Sequence, residues 1–157
     1  VISDGIDDLF ELPALYRTAR EALELMMDRR FHGGNVCTVA QLRTPLLLKE
    51  LEGRSDLIAK EIRELAAHDK KKDTQYCETL YHYLTCCRSL KKTCDALFTH
   101  RNTVLYRIRR IEDDFAIPLD EPAAHADLLV GVSLLLFKEK GPDFFLHTIN
   151  KNEREEQ

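Results

Sequence analysis

The feature that most restricts the fold of this chain is the apolar spacing in FTHRNTVLYRIRRIEDDF, residues 98–115. Large apolar side chains recur there at intervals of four, three and four residues, at Val104, Ile108, Ile111 and Phe115. At about 100° per residue they fall within one narrow arc, so the spacing predicts an amphipathic helix with one buried face. A short helical segment, SLKKTCDALF, precedes it after only two or three turn residues. This order predicts a helix-turn-helix.

The charge of this segment differs from that of the rest of the chain. Between Arg88 and Ile111 there are seven lysines and arginines against one acidic residue, Asp95, so the block carries +6. The formal net charge of the whole chain is −4, which leaves −10 for the remainder. A basic block on an acidic protein is typical of a localised surface that binds a polyanion. A solvated charged face is the alternative interpretation.

The outward side of the predicted helix carries groups that suit DNA. His100, Arg101 and Asn102 lie at its N-terminal end, where a recognition helix meets base edges and where free amides favour phosphate. Arginine can bind guanine through two hydrogen bonds, and asparagine can pair with adenine. The predicted DNA-binding set is His100, Arg101, Asn102, Thr103, Tyr106, Arg107, Arg109 and Arg110, on a recognition helix over about 101–115.

Elsewhere the apolar spacing is also helical. ELPALYRTAREALELMMDRR, AQLRTPLLLKELEG and a segment capped by Ser55 are predicted helices, and NVCTV is a short strand candidate. The expected fold is mainly α, a helical bundle with a C-terminal, Fis-like helix-turn-helix and at most one or two short N-terminal strands. The longest apolar run, 128–137, is too short to span a bilayer, and we expect no membrane association. Five cysteines without a CxxC pair favour free thiols in a reducing cytoplasm.

Residues 93–122, TCDALFTHRNTVLYRIRRIEDDFAIPLDEP, resemble the C-terminal helix-turn-helix of the PucR/CdaR family of bacterial transcription regulators. The family pattern TxxxLFxHRNTxxYRxxRIE is matched in register at Thr93, Leu97, Phe98, His100, Arg101, Asn102, Thr103, Tyr106, Arg107, Arg110, Ile111 and Glu112. The segment is similar, more distantly, to the Fis-type helix pair, in which the positions matching His100, Arg101, Thr103 and Tyr106 face DNA. This chain departs from the family at Arg88-Ser89, where Gly-Asn is common, although Ser89 can still cap the helix.

The resemblance extends more weakly over the rest of the chain. SDGIDDLFELPALYRTAREALEL resembles the end of the family's GGDEF-like middle domain, and HDKKKDTQYCETLYHYL resembles its lead-in helix. No GG(D/E)EF motif is present, so no cyclase activity is implied. The expected organisation is a GGDEF-like remnant over 1–53, a helical connector over 54–73, a DNA-binding domain over 74–150 and a polar tail over 151–157. Because the chain begins without an initiator Met, we expect a fragment.

The resemblance implies a sequence-specific regulator of metabolic genes, like those of purine or sugar-diacid catabolism. The implied partners are double-stranded DNA and a second copy of the chain, in a homodimer or higher oligomer. A small-molecule effector is expected to bind a region absent from this chain. We expect neither enzymatic activity nor a cofactor.

Three other interpretations compete with this one. An all-helical interaction or dimerisation module could present the same basic face to an acidic protein. His82 and Cys86, four residues apart, could bind a metal, but their spacing is not that of a zinc module. The pair His68-Asp69 could belong to a metal-dependent hydrolase, although we expect a helix terminus there because no further ligands stand out.

Overall fold

The computed structural model describes residues 1–6, 8–32 and 36–146, and it divides the chain into two compact units. One unit comprises Val1–Gly53 and the residues from Phe137 onward, and the other comprises Arg54–Leu136. Within the described ranges all regular secondary structure is helical. The mainly α fold predicted from the sequence is therefore confirmed. The predicted polar tail, 151–157, lies outside the described residues.

The first unit contains helices α1 (Leu12–Met26) and α2 (Val39–Glu50). Pro13 lies in the first turn of α1, where its missing N–H costs no helical hydrogen bond. Helix α2 begins with a capping box, in which Thr38 and Gln41 each accept a backbone amide of the other. Ala22, Leu25, Leu42 and Leu48 are buried. Leu23 is half exposed, because Ala22 and Leu25 take the inward positions of α1.

The strand candidate NVCTV is represented by a single parallel bridge between Ile2 and Thr38. The Ile2 amide donates to the Cys37 carbonyl, and the Val39 amide donates to the Ile2 carbonyl, both at 2.9 Å. Asn35 lies outside the described residues. The bridge cannot extend past Val39 because α2 begins there.

The second unit contains the helices that position the candidate site. They are α3 (Lys60–Lys72), α4 (Tyr76–Thr85), α5 (Leu90–Leu97), α6 (Arg101–Phe115) and the larger part of α7 (His125–Lys140). Their buried apolar side chains include Ile62, Leu65, Leu80, Leu84, Val104, Ile108, Ile111, Leu128 and Val132. No helix in the described part of the chain is both long enough and apolar enough to cross a membrane.

The start of α3 differs from the prediction. Ser55 opens a short 3₁₀ turn, Ser55–Leu57, and the α-helix begins only at Lys60. Ile58 adopts an extended conformation between the two and is buried, whereas Leu57 is exposed. The prediction that Ser55 caps one continuous helix was wrong because burial of Ile58 breaks the helical path.

Candidate nucleic-acid interface

Helix α5 is fixed at its N-terminus by its own polar side chains. The Ser89 hydroxyl accepts the Lys92 amide at 3.4 Å, which is the cap expected for a residue in an extended conformation before a helix. The Thr93 hydroxyl donates to the Ser89 carbonyl at 2.8 Å, and Thr93 is fully buried. The short first helix of the pair therefore has a defined start despite its eight-residue length.

The turn between α5 and α6 consists of three residues, Phe98 to His100. Phe98 adopts a left-handed conformation with φ of +50°, and the Thr99 amide donates back to the Cys94 carbonyl at 3.1 Å. This geometry ends α5 and redirects the chain within one short turn. The turn length agrees with the helix-turn-helix prediction.

The inward face of α6 is the predicted apolar stripe. Val104, Ile108 and Ile111 are buried, and Phe115 is half buried. The Phe115 ring meets the His68 ring edge-on, with centroids 5.4 Å apart. The apolar stripe thus fixes which side of α6 faces the unit and leaves the opposite side open.

The outward face holds most of the predicted DNA-binding set. The exposed members are His100, Arg101, Asn102, Thr103, Tyr106, Arg109 and Arg110. His100 precedes the helix without capping it, so its ring does not satisfy the first amides of α6. Among the residues the structure describes, the side chains of Arg101, Asn102 and Arg109 form no hydrogen bond or ion pair. These side chains and the backbone amides of Arg101 and Asn102 are consequently available to bases and phosphates, whereas the Thr103 amide donates to the His100 carbonyl at 3.0 Å.

Charge is distributed unevenly along this surface. Lys91 and Lys92 are exposed on α5, which adds positive charge to the helix pair. Acidic residues occur on α6 only from Glu112 onward. Burial raises the pKa of the Glu112 carboxyl, and the nearby Asp120 raises it further. The basic end of α6 is therefore the one that suits a polyanion.

Arg110 lies on the exposed face of α6 and forms an ion pair with an acidic residue near the end of the helix. Its guanidinium lies 3.0 Å from the Asp114 carboxylate, one turn further along the helix. The Asp114 charge raises the pKa of Arg110 above its usual value. Both groups are solvent-accessible, so the pair is a weak one that a phosphate could replace.

Arg107 is the member of the predicted set that is bound to another helix. It is half buried, and its guanidinium donates to the Thr79 hydroxyl at 3.2 Å and to the Gln75 side-chain carbonyl at 3.0 Å. Both acceptors belong to the first turn of α4 and its N-cap. The sequence pattern placed Arg107 between the outward face and the core but did not reveal this contact, because its partners lie 28 and 32 residues earlier.

The pair His68-Asp69 forms a structural junction. Asp69 is buried, and its carboxylate accepts the backbone amides of Tyr76 and Cys77 at 2.9 and 2.8 Å and the Thr74 hydroxyl. The His68 ring stacks on the Tyr76 ring, with centroids 5.3 Å apart. Asp69 thus caps α4 from the preceding helix. Within the described ranges, no three His, Cys, Asp or Glu side chains are grouped as metal ligands.

Comparison with known proteins agrees with this geometry. Residues 76–134 match the family model of the PucR C-terminal helix-turn-helix domain. The prediction of a PucR-type helix-turn-helix is thereby confirmed, and this segment belongs to a class of DNA-binding domain found in transcription regulators.

The chain is also similar to one such regulator, the proline-responsive transcriptional activator PutR of Bacillus subtilis (strain 168). The two are 29% identical over 132 residues, which is 80% of this chain and 32% of that protein. The chain thus spans about a third of the length of this relative. No solved structure matches the chain.

Proposed function

We propose that this chain is the DNA-binding part of a transcription regulator that controls metabolic genes, and that α6 reads its operator from the major groove. The observation that carries the proposal is the outward face of α6. Exposed polar and basic side chains begin at the N-terminal end of the helix, opposite the buried stripe of Val104, Ile108 and Ile111. The match of residues 76–134 to a helix-turn-helix family supports the same interpretation.

We assign two roles along the helix. His100, Arg101 and Asn102 contact base edges, because the N-terminal end of a recognition helix enters the groove most deeply. Thr103, Tyr106, Arg109 and Arg110 contact the phosphate backbone or adjacent bases, because they continue the same exposed face further along the helix. Arg107 belongs to the predicted set as well, but its contacts with α4 support the different role argued below.

The wider organisation is also part of the proposal. Residues 1–53 are interpreted as the end of a GGDEF-like domain, 54–73 as a connector, 74–150 as the DNA-binding domain and 151–157 as a polar tail. A single helix-turn-helix makes few contacts, so we propose that two copies bind two half-sites about one helical turn apart. We propose a bacterial, CdaR-like protein that acts in the cytoplasm, where its DNA lies.

The signal is proposed to be a small metabolite. The relative's name describes a response to proline. The resemblance to the PucR/CdaR family, seen in the sequence, implies regulators like those of purine and sugar-diacid catabolism. Since this chain spans about a third of that relative, we propose that the effector binds a part of the protein outside it.

The competing interpretation is a protein-interaction module. It is favoured by exposed apolar residues at the N-terminal end and along α1, where Phe10, Tyr16 and Met27 are 92%, 69% and 77% exposed. The two proposals make different predictions for the basic face of α6. A DNA reader prefers particular duplex sequences, whereas an interaction module with a basic face binds any duplex through charge alone or binds none.

The deciding experiment is selection of bound duplexes from random DNA, followed by titration of a selected and a random duplex at several salt concentrations. We expect an enriched motif and a linear fall of log affinity with log salt. Arg101→Ala should reduce the preference for the selected duplex by about tenfold, since a base contact contributes ~1–3 kcal/mol. Arg17→Ala, at an exposed position of α1, is the matched control and should bind as the unaltered chain does.

The absence of any binding at about 50 mM salt and up to about 100 μM protein would contradict the proposal, because non-specific binding alone has a Kd in the range of ~1–100 μM. Enrichment without any effect of Arg101→Ala would retain DNA binding but reject Arg101 as a base contact.

A further inference from the structure

The hydrogen bonds of Arg107 form a closed set at the start of α4. The Thr79 hydroxyl donates to the Gln75 carbonyl at 2.7 Å and accepts from Arg107 at 3.2 Å. The other arm of the guanidinium reaches the Gln75 side chain at 3.0 Å. Thr79 is fully buried, so its hydroxyl cannot meet a ligand from solvent. The planar guanidinium therefore bridges two acceptors on one helix turn, the buried Thr79 hydroxyl and the exposed Gln75 side chain.

We propose that Arg107 is a positioning residue, which holds the recognition helix α6 against α4 through Thr79 and Gln75 and does not bind a DNA phosphate. This inference rests on the proposed function, because it concerns how α6 is presented to DNA. The apolar stripe of α6 fixes which side of the helix faces the unit, but apolar contact is not directional and restricts small shifts of the helix less than a hydrogen bond does. A guanidinium that donates from two nitrogens also restricts the orientation of α6 relative to α4, because its donors are held in a rigid plane.

The hydrogen bonds of Arg107 reach a part of α4 whose position depends on α3. Helix α4 starts where the buried Asp69 carboxylate, on α3, accepts its first two amides. Gln75 is the N-cap of that same helix start. Arg107 thus connects α6 to a turn whose position is set by α3. A phosphate contact would require Arg107 to give up both hydrogen bonds, whereas Arg109 has no such competing bond in the described part of the chain.

The test compares variants at both ends of the bridge. Arg107→Lys keeps the positive charge but loses the planar guanidinium, and Arg107→Ala loses the charge as well as the guanidinium. Thr79→Val removes the hydroxyl with little change of shape, and Thr79→Ser restores it. Arg109→Ala is the control for a phosphate contact. Each protein is titrated with a duplex selected from random DNA and with a random duplex, and hydrogen exchange of the α6 amides is measured in the free protein.

If Arg107 positions α6, Arg107→Ala, Arg107→Lys and Thr79→Val should each lower the preference for the selected duplex by about tenfold. Thr79→Ser should bind as the unaltered chain. The slope of log affinity against log salt should stay constant in the Arg107 and Thr79 variants and fall by about 0.9 in Arg109→Ala. Exchange of α6 amides should accelerate in the first three variants alone.

A slope lowered by about 0.9 in Arg107→Ala, with normal binding by Arg107→Lys and Thr79→Val, would overturn the inference and make Arg107 a phosphate ligand. Unchanged exchange in Arg107→Ala would overturn it as well. If the unaltered chain binds neither duplex at low salt, the proposed function fails, whereas the exchange measurement still decides whether Arg107 holds α6 to α4.

Discussion

The Asp69 carboxylate accepts the backbone amide of Tyr76 at 2.9 Å, so the last turns of α3 cap the first turn of α4. The same carboxylate accepts the Cys77 amide at 2.8 Å and is buried. Three residues, Asp73 to Gln75, separate the two helices, and Asp73 adopts a left-handed conformation with φ of +54°. The Asp69 carboxylate on α3 therefore caps α4, whereas the side chain of Gln75, at the N-cap position, forms no capping hydrogen bond.

We expect Asp69→Ala to lower the free energy of unfolding by about 2 kcal/mol, because two buried amides lose their acceptor. Asp69→Asn should cost less, since its one carbonyl oxygen can still accept. Thermal unfolding followed by circular dichroism measures both. Lys70→Ala, at the exposed neighbouring position, is the control and should lie within about 0.5 kcal/mol of the unaltered chain. Equal stability of Asp69→Ala and Lys70→Ala would contradict the capping role.

The contacts at this junction between α3 and α4 differ from the helix bounds in how far the sequence predicts them. The bounds of α6 followed from the apolar spacing because periodicity is a local property of the chain. The outward placement of Asn102, Tyr106 and Arg109 followed from the same periodicity, as their exposure confirms. The Asp69 cap and the Arg107 bridge could not be predicted, since each joins residues brought together only by helix packing. Ser55 carried a local cap signal that burial of Ile58 overrode.

Two glycines should respond to alanine in opposite directions. Gly131 lies within α7, and a Cβ there would meet the Ile58 side chain at an ordinary contact distance of 3.5 Å. Gly131→Ala should therefore stabilise the protein by about 1 kcal/mol through helix propensity. Gly141 has a φ of +80°, and its Cβ would lie 2.6 Å from the Arg30 Cβ. Gly141→Ala should cost about 2 kcal/mol or more, because strain and a clash add.

Denaturant midpoints of both variants measure this difference, with the unaltered chain as the reference. A loss of stability in Gly131→Ala would mean that α7 lies closer to α3 than the structure places it. A neutral Gly141→Ala would contradict the close approach of Arg30.

Phe98 combines strain with exposure, since its φ is +50° and it is 84% exposed. An aromatic residue in this conformation is strained, whereas asparagine tolerates it. We expect Phe98→Asn to raise the free energy of unfolding by about 0.5–1 kcal/mol and Phe98→Val to lower it, because β-branching is least compatible with positive φ. The two denaturation curves should therefore lie on opposite sides of the unaltered chain. The reverse order would show that packing of the Phe98 ring outweighs the backbone strain.

The pair Asp28 and Arg30 predicts an acid-dependent loss of stability in the first unit. Hydrogen bonds from Arg30 lower the pKa of Asp28 to about 2 from its usual 3.8. Because the folded pKa is depressed, the stabilisation is complete above pH 3.8 and disappears as the pH falls toward 2. Partial exposure of the pair limits its contribution to roughly 1–2 kcal/mol.

Thermal unfolding of the unaltered chain and of Asp28→Asn, measured from pH 2 to 6, isolates this contribution. The difference in melting temperature should be largest above about pH 4 and should shrink toward zero near pH 2. A difference that stays constant across this range would mean that Asp28 stabilises the fold by a route other than its charge.

The ion pair of Arg110 and Asp114 predicts that a surface substitution strengthens DNA binding. Asp114 lies 3.0 Å from Arg110 and offsets its charge at the acidic end of α6. Asp114→Asn removes that charge, so affinity for a random duplex at about 50 mM salt should rise. Arg110→Ala should abolish most of this gain, which a double-mutant cycle on binding measures. Glu11→Gln, an exposed change of the same charge at the start of α1, should leave affinity unchanged. If Asp114→Asn and Glu11→Gln behave alike, Arg110 lies outside the DNA contact and the interface is restricted to the N-terminal half of α6.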